Sequence, residues 1–316
     1  MTCFVNQPAR PPELQILEVL RSRTTLSSDS TTFYHSLKKG YEGETKWHSL
    51  LKRKLSTDSM ILYDLLLDRS DSLFQLDCLI IQQRTIWHLE IKNYDGDFMM
   101  KNDKMYKLPN EYEVNNPLNQ IERGQRLMKD LLKKYAYHFP IESFAVFIHP
   151  EFALYHVHRN MPIVMPTQIN RFITTINQTP SSLNSAHRKL AHELLSLRTS
   201  RPLSKRLPEY EFDQLEKGIP CVKCNGWMVA GNKSGRKLIC EVCGNLESRE
   251  SSVLRNTEEF CILFPNQKIT TLRIWEWCGG ILSKFKIRGI LSQYLQPIGS
   301  RSNMHFISPF NDRLSK

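Results

Sequence analysis

The 316-residue sequence has no run of about 18 consecutive apolar residues, which excludes a membrane-spanning helix. Its opening stretch, MTCFVNQPARPPELQ, lacks the apolar core of a secretory signal. Export is therefore not expected, and the cytoplasm is the expected compartment. No internal repeat is found. Acidic residues are in short supply: 32 Asp and Glu stand against 43 Lys and Arg, a formal net charge of +11 with a pI of about 9.2. That excess favours polyanionic partners, nucleic acid first and an anionic membrane surface second. We expect nucleic acid and no membrane partner. A hydrophobic content of 41% with 24% charged residues excludes a disordered chain.

Five segments are expected. Residues 1–39 form an irregular, Pro-rich and Ser/Thr-rich lead-in, and residues 40–170 alternate helix and strand signals. Residues 171–215 hold a helical stretch and a polar linker, 216–250 two cysteine pairs, and 265–316 a small helical module. In the second segment, GYEGETKWHSLLKRKL has helical period after Gly40, with Glu44, Trp47, Leu51 and Leu55 on one stripe. MILYDLLL, FQLDCLIIQ and TIWHLEIKNY read as strands, the last two forming a hairpin through Gln82–Arg84. FMMKN and KMYKL suggest a further hairpin. NNPLNQIERGQRLMKDLLKKY reads as a helix capped by Asn116 with Pro117 in its first turn, and SFAVFIHP as a buried strand. The predicted fold is α/β, a mixed sheet flanked by helices.

Polar residues interrupt these apolar elements. Side chains alternate along a strand, so Asp77 is expected on one face with Gln75, Leu79 and Ile81, and Glu90 and Lys92 on one face with Ile86 and His88. The hairpin brings Asp77 beside Glu90 and Lys92 if those faces coincide. Glu44 lies on the apolar stripe of its helix, and Gln120 on a stripe with Leu127 and Leu131, so both are expected to face the sheet. A buried Glu90–Lys92 ion pair fixing strand register would account for that pair alone. Converging carboxylates, however, repel one another and raise a pKa, and a divalent cation relieves that repulsion. Hard oxygen ligands suit Mg²⁺ or Mn²⁺. Such an ion polarises a phosphoryl oxygen and acidifies its water, which suits phosphodiester hydrolysis.

GYEGE at 40–44, Asp77 in QLDCLII, EIK at 90–92 and NPLNQ at 116–120 together resemble the nuclease-related domain family, itself similar to the restriction-endonuclease-like superfamily. The resemblance covers about residues 38–155. It implies a metal-dependent nuclease core with Asp77 and Glu90 as metal ligands, Lys92 as the catalytic lysine and Glu44 as a helix-borne carboxylate of the same site. Gln120 would contact nucleophile, metal or substrate backbone.

Cys221, Cys224, Cys240 and Cys243 follow the pattern Cys-x₂-Cys-x₁₅-Cys-x₂-Cys, which resembles a zinc ribbon. Four thiolates close the coordination sphere, so the zinc is expected to be structural. Disulfides or redox thiols are the alternative. Lys223, Lys233, Arg236 and Lys237 make this segment basic, and Trp227 offers either a stacking face or a packing contact. Further on, Thr270 or Thr271 and then Ser283 cap two expected helices separated by Gly279–Gly280, with SNMHFISP expected as a wing strand. The arrangement resembles a helix-turn-helix or winged helix, whose Lys284, Lys286 and Arg288 would reach phosphates while Phe285, Ile287, Ile290 and Leu291 pack inside. An ordinary helical pair with solvated charges is the alternative. Taken together, the expectation is a Mg²⁺- or Mn²⁺-dependent nuclease acting on DNA, delivered by the ribbon and the helical module. The competing reading is a non-enzymatic nucleic-acid-binding or regulatory protein with a nuclease-like docking core.

Overall fold

The computed structural model describes residues 2–69, 72–200, 202–231, 236–300 and 303–307. Among them no helix is long and apolar enough to cross a membrane. The chain divides into two compact units: Met1–Arg10 with Ser36–Pro202, and Pro11–His35 with Leu203–Lys316. It begins with β1 (Cys3–Phe4), α1 (Pro12–Leu20) and α2 (Ser28–Lys54). The lead-in is thus not irregular. Helix α2 starts a dozen residues before Gly40 and runs through both glycines of GYEGE. The Ser/Thr run that reads as a loop supplies its start, where the Ser27 hydroxyl accepts from Ser30 N at 3.2 Å.

The first unit is built on a six-stranded mixed sheet, ordered β1, β2 (Met60–Arg69), β3 (Ser72–Ile81), β4 (Ile86–Lys92), β8 (Ile141–Phe147), β10 (Ile163–Val164). Strands β2, β3 and β4 pair antiparallel, and β4, β8 and β10 run parallel. The parallel step from β4 to β8 requires a crossover, and α3 (Pro117–Lys134) supplies it. On one face of the sheet, Leu127, Met128, Leu131 and Leu132 of α3 pack with Leu190, Ala191 and Leu194 of α5 (Ser185–Ser196). On the other, Trp47, Leu51 and Leu55 next to α2's end pack with Ile169, Ile173 and Ile176 of α4 (Ile169–Gln178). A second sheet, ordered β7 (Tyr112–Val114), β6 (Lys104–Lys107), β5 (Gly96–Lys101), β9 (Phe152–Tyr155), is inserted around its own aromatic core of Phe98, Phe147 and Phe152. This is a helix-flanked mixed α/β sheet. The β5–β6 hairpin is where FMMKN and KMYKL place it.

The second unit has a core that takes residues from α1, from 212–219 and from segments between Cys221 and Phe306. Its three-stranded antiparallel sheet is β11 (Met228–Ala230), β12 (Lys237–Cys240), β13 (Leu246–Ser248). Three helices follow, α6 (Arg249–Leu263), α7 (Thr271–Trp277) and α8 (Lys284–Tyr294), then a hairpin of β14 (Gln296–Ile298) and β15 (His305–Ile307). Thr270 caps α7 and Ser283 caps α8, as their positions suggest. Gly279 and Gly280 take φ of +66° and +68°, the left-handed backbone that ends α7. Helix α6 occupies a stretch the sequence leaves unassigned. Its inward face carries Ser252, Asn256 and Thr257, which blur the apolar period. Each hydroxyl or amide donates back to a helix carbonyl, at 2.7 to 2.9 Å, so burial leaves no donor unpaired.

Candidate active site and metal centre

Alternation along β2 and β3 does not run through unbroken. Met60 and Leu62 share a core with Leu65 and Leu67, although an odd step separates the pairs, and on β3 Phe74 and Leu76 share it with Leu79 and Ile81. Tyr63, Cys78 and Ile80 lie in the opposite core. Both strands therefore switch faces together, at Asp64 on β2 and Asp77–Cys78 on β3, while the pairing Tyr63–Cys78 and Leu65–Leu76 keeps step. Asp64 makes this possible with φ of +49°, a left-handed backbone that an aspartate tolerates better than a branched residue. The alternation that grouped Asp77 with Gln75, Leu79 and Ile81 fails here because Asp77 sits at the break.

The β3–β4 ladder also ends at this point. Its last rung pairs Cys78 with Leu89, and the next position sets Asp77 opposite Glu90. There the Asp77 side chain takes over from the main chain, its Oδ2 accepting from Ile91 N at 2.9 Å. Glu90 is buried at 5% exposure, and its Oε1 accepts from Lys92 Nζ at 2.8 Å. Each carboxylate thus has one oxygen engaged and one without a hydrogen-bond partner among the described residues. Burial pushes the Asp77 carboxyl well above the ordinary carboxylate range, Glu90 adds to the effect and Lys92 opposes it. Glu44 of α2 is pushed up to about 7, by burial first and then by the charges of Asp64 and Glu90, again against Lys92. Burial alone would lower Lys92, but Glu90 and Asp77 outweigh it and hold the ammonium up at about 12. The arrangement is therefore electrostatically unbalanced: one buried cation faces several carboxylates.

Two glycines let the helices approach. A Cβ on Gly43 would stand 2.6 Å from Cβ of Asn93, just past β4, while Asn93 Nδ2 donates to Lys39 O at 2.8 Å. This contact seats α2 on the end of β4, and the charge of Glu90 reaches Glu44. A Cβ on Gly124 of α3 would stand 2.7 Å from Cε1 of His88. His88 is wholly buried, its Nδ1 lies 3.2 Å from Ser143 Oγ, and burial lowers it to about 4, so the imidazole is neutral near pH 7.

Gln120 is placed otherwise than its stripe suggests. It is exposed, and among the described residues no hydrogen bond joins it to Glu44, Asp77, Glu90 or Lys92. The buried side of α3 runs through Pro117, Ile121, Gly124, Leu127, Met128, Leu131 and Leu132. Gln120 continues the Gly124–Leu127–Leu131 row by one more turn and reaches solvent there. Asp64 is the residue that sequence reasoning missed. Its Oδ2 accepts from Arg198 Nη2 at 2.8 Å and its Oδ1 from Gln75 Nε2 at 2.9 Å. A polar residue in the middle of MILYDLLL was the available signal.

In the second unit, Cys221, Cys224, Cys240 and Cys243 bring all four sulfurs within 4.8 Å of one another. Among the described residues this is the one set of three or more Cys, His, Asp or Glu donors that meets so closely. Cys221 and Cys243 sulfurs lie 3.7 Å apart, and those of Cys224 and Cys240 3.4 Å. Tetrahedral zinc with bonds near 2.3 Å places sulfurs about 3.8 Å apart, so the donor set fits that ion. No disulfide joins them. Both pairs lie in matching turns. Asn225 N donates to Cys221 O and Gly244 N to Cys240 O, each at 3.0 Å, and both residues have positive φ, +60° and +69°. The left-handed position is thus Asn225, not Gly226, in the first turn. Gly226 is instead a contact point, where a Cβ would stand 2.6 Å from Val242 Cγ2. Trp227 packs, its ring 2.7 Å from where a Cβ on Gly218 would lie. Lys223, Arg236 and Lys237 are exposed, and Lys233 lies outside the described residues. On α8, Lys284, Lys286 and Arg288 are exposed. Phe285, expected inside, is 85% exposed, because the inward stripe is Ile287, Ile290 and Leu291.

No curated protein and no solved structure matches the chain. The family model of the nuclease-related domain matches residues 39–148, from within α2 to just past β8. Over that stretch, which holds Glu44, Asp77, Glu90, Lys92 and Gln120, the chain is similar to a nuclease-related domain.

Proposed function

We propose that the first unit is a restriction-endonuclease-like core that hydrolyses phosphodiester bonds, in DNA, with Mg²⁺ or Mn²⁺ as cofactor. The observation that carries this reading is the position of Asp77. It lies where the β3–β4 ladder ends, opposite Glu90, with one oxygen fixed by Ile91 N and its carboxyl raised by burial first and by the neighbouring carboxylate second. A divalent cation fits this donor set, since it satisfies the remaining oxygens and removes the repulsion. Asp77 and Glu90 would hold it, with Glu44 beside them. Once bound, the ion supplies Lewis-acid polarisation of a phosphoryl oxygen and a water of lowered pKa. Lys92, charged throughout the neutral range, orients Glu90 and offers positive charge to the phosphate oxygens as they gain charge.

In this reading the four cysteines hold a structural zinc, and the ribbon and the helical, winged-helix-like module bind the substrate through Arg236, Lys237, Lys284, Lys286 and Arg288. One observation favours a second reading, a core that docks nucleic acid without cutting it. Glu44, Asp77 and Glu90 do not all bring an oxygen within 4.8 Å of one another, and Lys92 already engages Glu90. Labelled DNA and RNA incubated with zinc-loaded protein separate the two. The nuclease reading expects cleavage of DNA with Mg²⁺ or Mn²⁺, none without a divalent ion, and none by Asp77→Ala or Lys92→Ala. Equal cleavage by wild type and Asp77→Ala refutes it, and binding that survives Asp77→Ala without cleavage under any ion supports the docking core.

A further inference from the structure

Helix α8 carries a side chain that the fold does not use. Phe285 is 85% exposed although Ile287, Ile290 and Leu291 of the same helix are buried. A ring left in water forfeits the burial that the neighbouring residues gain. Spacing of three and four residues puts Phe285 on one face with Arg288, Gly289 and Ser292, all of them exposed. Gly289 disfavours the helix interior, and a Cβ there would meet nothing within 4 Å, so no internal contact requires it. Its openness leaves room for something to approach the helix backbone closely.

The charged residues that flank this ring on α8, Lys284, Lys286 and Arg288, are of one sign. Lys284, Lys286 and Arg288 form no ion pair with a carboxylate among the described residues. Lys284 Nζ lies 4.4 Å from the Trp275 ring centre and Arg288 Nη2 lies 3.6 Å from Met304 Sδ. The sequence has no acidic residue between Glu276 and Asp312. An aromatic ring among cations matches a nucleic acid strand, where phosphates meet the cations and a base stacks on the ring. A bilayer surface is a poorer match, because Arg288, Gly289 and Ser292 break the apolar stripe that an interfacial helix needs.

We propose that α8 binds nucleic acid by stacking an unpaired base on Phe285, with Lys284, Lys286 and Arg288 on the flanking phosphates. This face therefore selects substrates that expose a base, such as single strands, flaps or frayed ends, over an intact duplex. The proposal rests on the reading of the chain as acting on nucleic acid and narrows its substrate class.

The test uses the full-length, zinc-loaded protein and fluorescence anisotropy. The probes are a labelled single strand, a blunt duplex of the same sequence, and vesicles of anionic phospholipid. Wild type is expected to prefer the single strand. Phe285→Ala should weaken that binding about five-fold or more with the salt dependence unchanged, and Phe285→Trp should restore it. Lys286→Gln should instead make the salt dependence shallower by somewhat under one unit of slope. Unchanged single-strand binding in Phe285→Ala overturns the proposal and leaves the nucleic-acid reading standing. A loss confined to vesicles also overturns it. Absence of wild-type binding to any DNA or RNA overturns both together.

Discussion

Replacing Glu44 by Gln should make the protein more stable at pH 8, not less. In the fold the Glu44 carboxyl titrates at about 7, against an ordinary value of 4.5, because of its burial and the charges of Asp64 and Glu90. Between those two values the folded chain holds a proton that the unfolded chain releases. Stability therefore falls as pH rises through this window. At 1.36 kcal/mol per pKa unit, ionising Glu44 inside the fold costs about 3 kcal/mol by pH 8. Asp77, shifted in the same direction, adds to the slope in both proteins. Lys92 contributes nothing there, since its raised value of about 12 and its ordinary value both lie above the range, and its stabilisation is lost only as pH rises through the folded value. Glutamine has no proton to lose. Urea unfolding of wild type and Glu44→Gln, zinc-loaded and free of Mg²⁺ and Mn²⁺, checks this at half-unit steps from pH 5.5 to 8. The difference between the proteins should grow with pH in favour of the variant and approach about 3 kcal/mol, and saturating Mg²⁺ should shrink it. Parallel pH profiles would instead mean that Glu44 ionises at no cost inside the fold.

Three further outcomes follow from packing. Gly43→Ala should cost about 1–3 kcal/mol and lower cleavage, because its Cβ would fall 2.6 Å from Asn93 Cβ and push α2 off β4; urea unfolding and a cleavage assay read the two effects. One zinc per chain should be found by elemental analysis, and Cys240→Ser should unfold the second unit, whose core includes Cys221, Met228, Leu238 and Cys240, as seen by loss of amide protection there. Arg23→Ala should destabilise the same unit by about 3–5 kcal/mol in thermal unfolding. Its buried guanidinium donates to Asn256 Oδ1 at 2.6 Å and to Glu259 Oε2 at 2.9 Å, and lies 3.7 Å from the Trp277 ring centre.

Local signals carried much of the fold. Short apolar runs marked β2, β3 and β4, Asn116–Pro117 marked the start of α3, and Thr270 and Ser283 marked α7 and α8, because caps and apolar runs are written in neighbouring residues. The cysteine spacing marked the metal centre for the same reason. What stayed hidden depends on tertiary context. The face switch at Asp64 and Asp77 needs one left-handed residue, and nothing adjacent to Asp64 announces it. The start of α2 was masked by serines and threonines, which serve loops and caps alike. Helix α6 was masked by buried polar residues whose partners are its own carbonyls and Arg23. Gln120 continues an inward row into the first turn of α3, where it is exposed, and row membership cannot reveal where burial stops. Phe285 was assigned to the core by residue type, while its position one residue off the Ile287–Ile290–Leu291 stripe argued for solvent.

Asp77 and Glu90 are proposed above to form a site for a divalent cation. Calorimetric titration of Mn²⁺ into zinc-loaded protein at pH 7.5 tests it most directly, with Asp77→Asn/Glu90→Gln as the comparison. Wild type is expected to bind saturably and the double variant not at this site, with zinc content equal in both. Equal Mn²⁺ binding by the two proteins, or none by wild type, would contradict it.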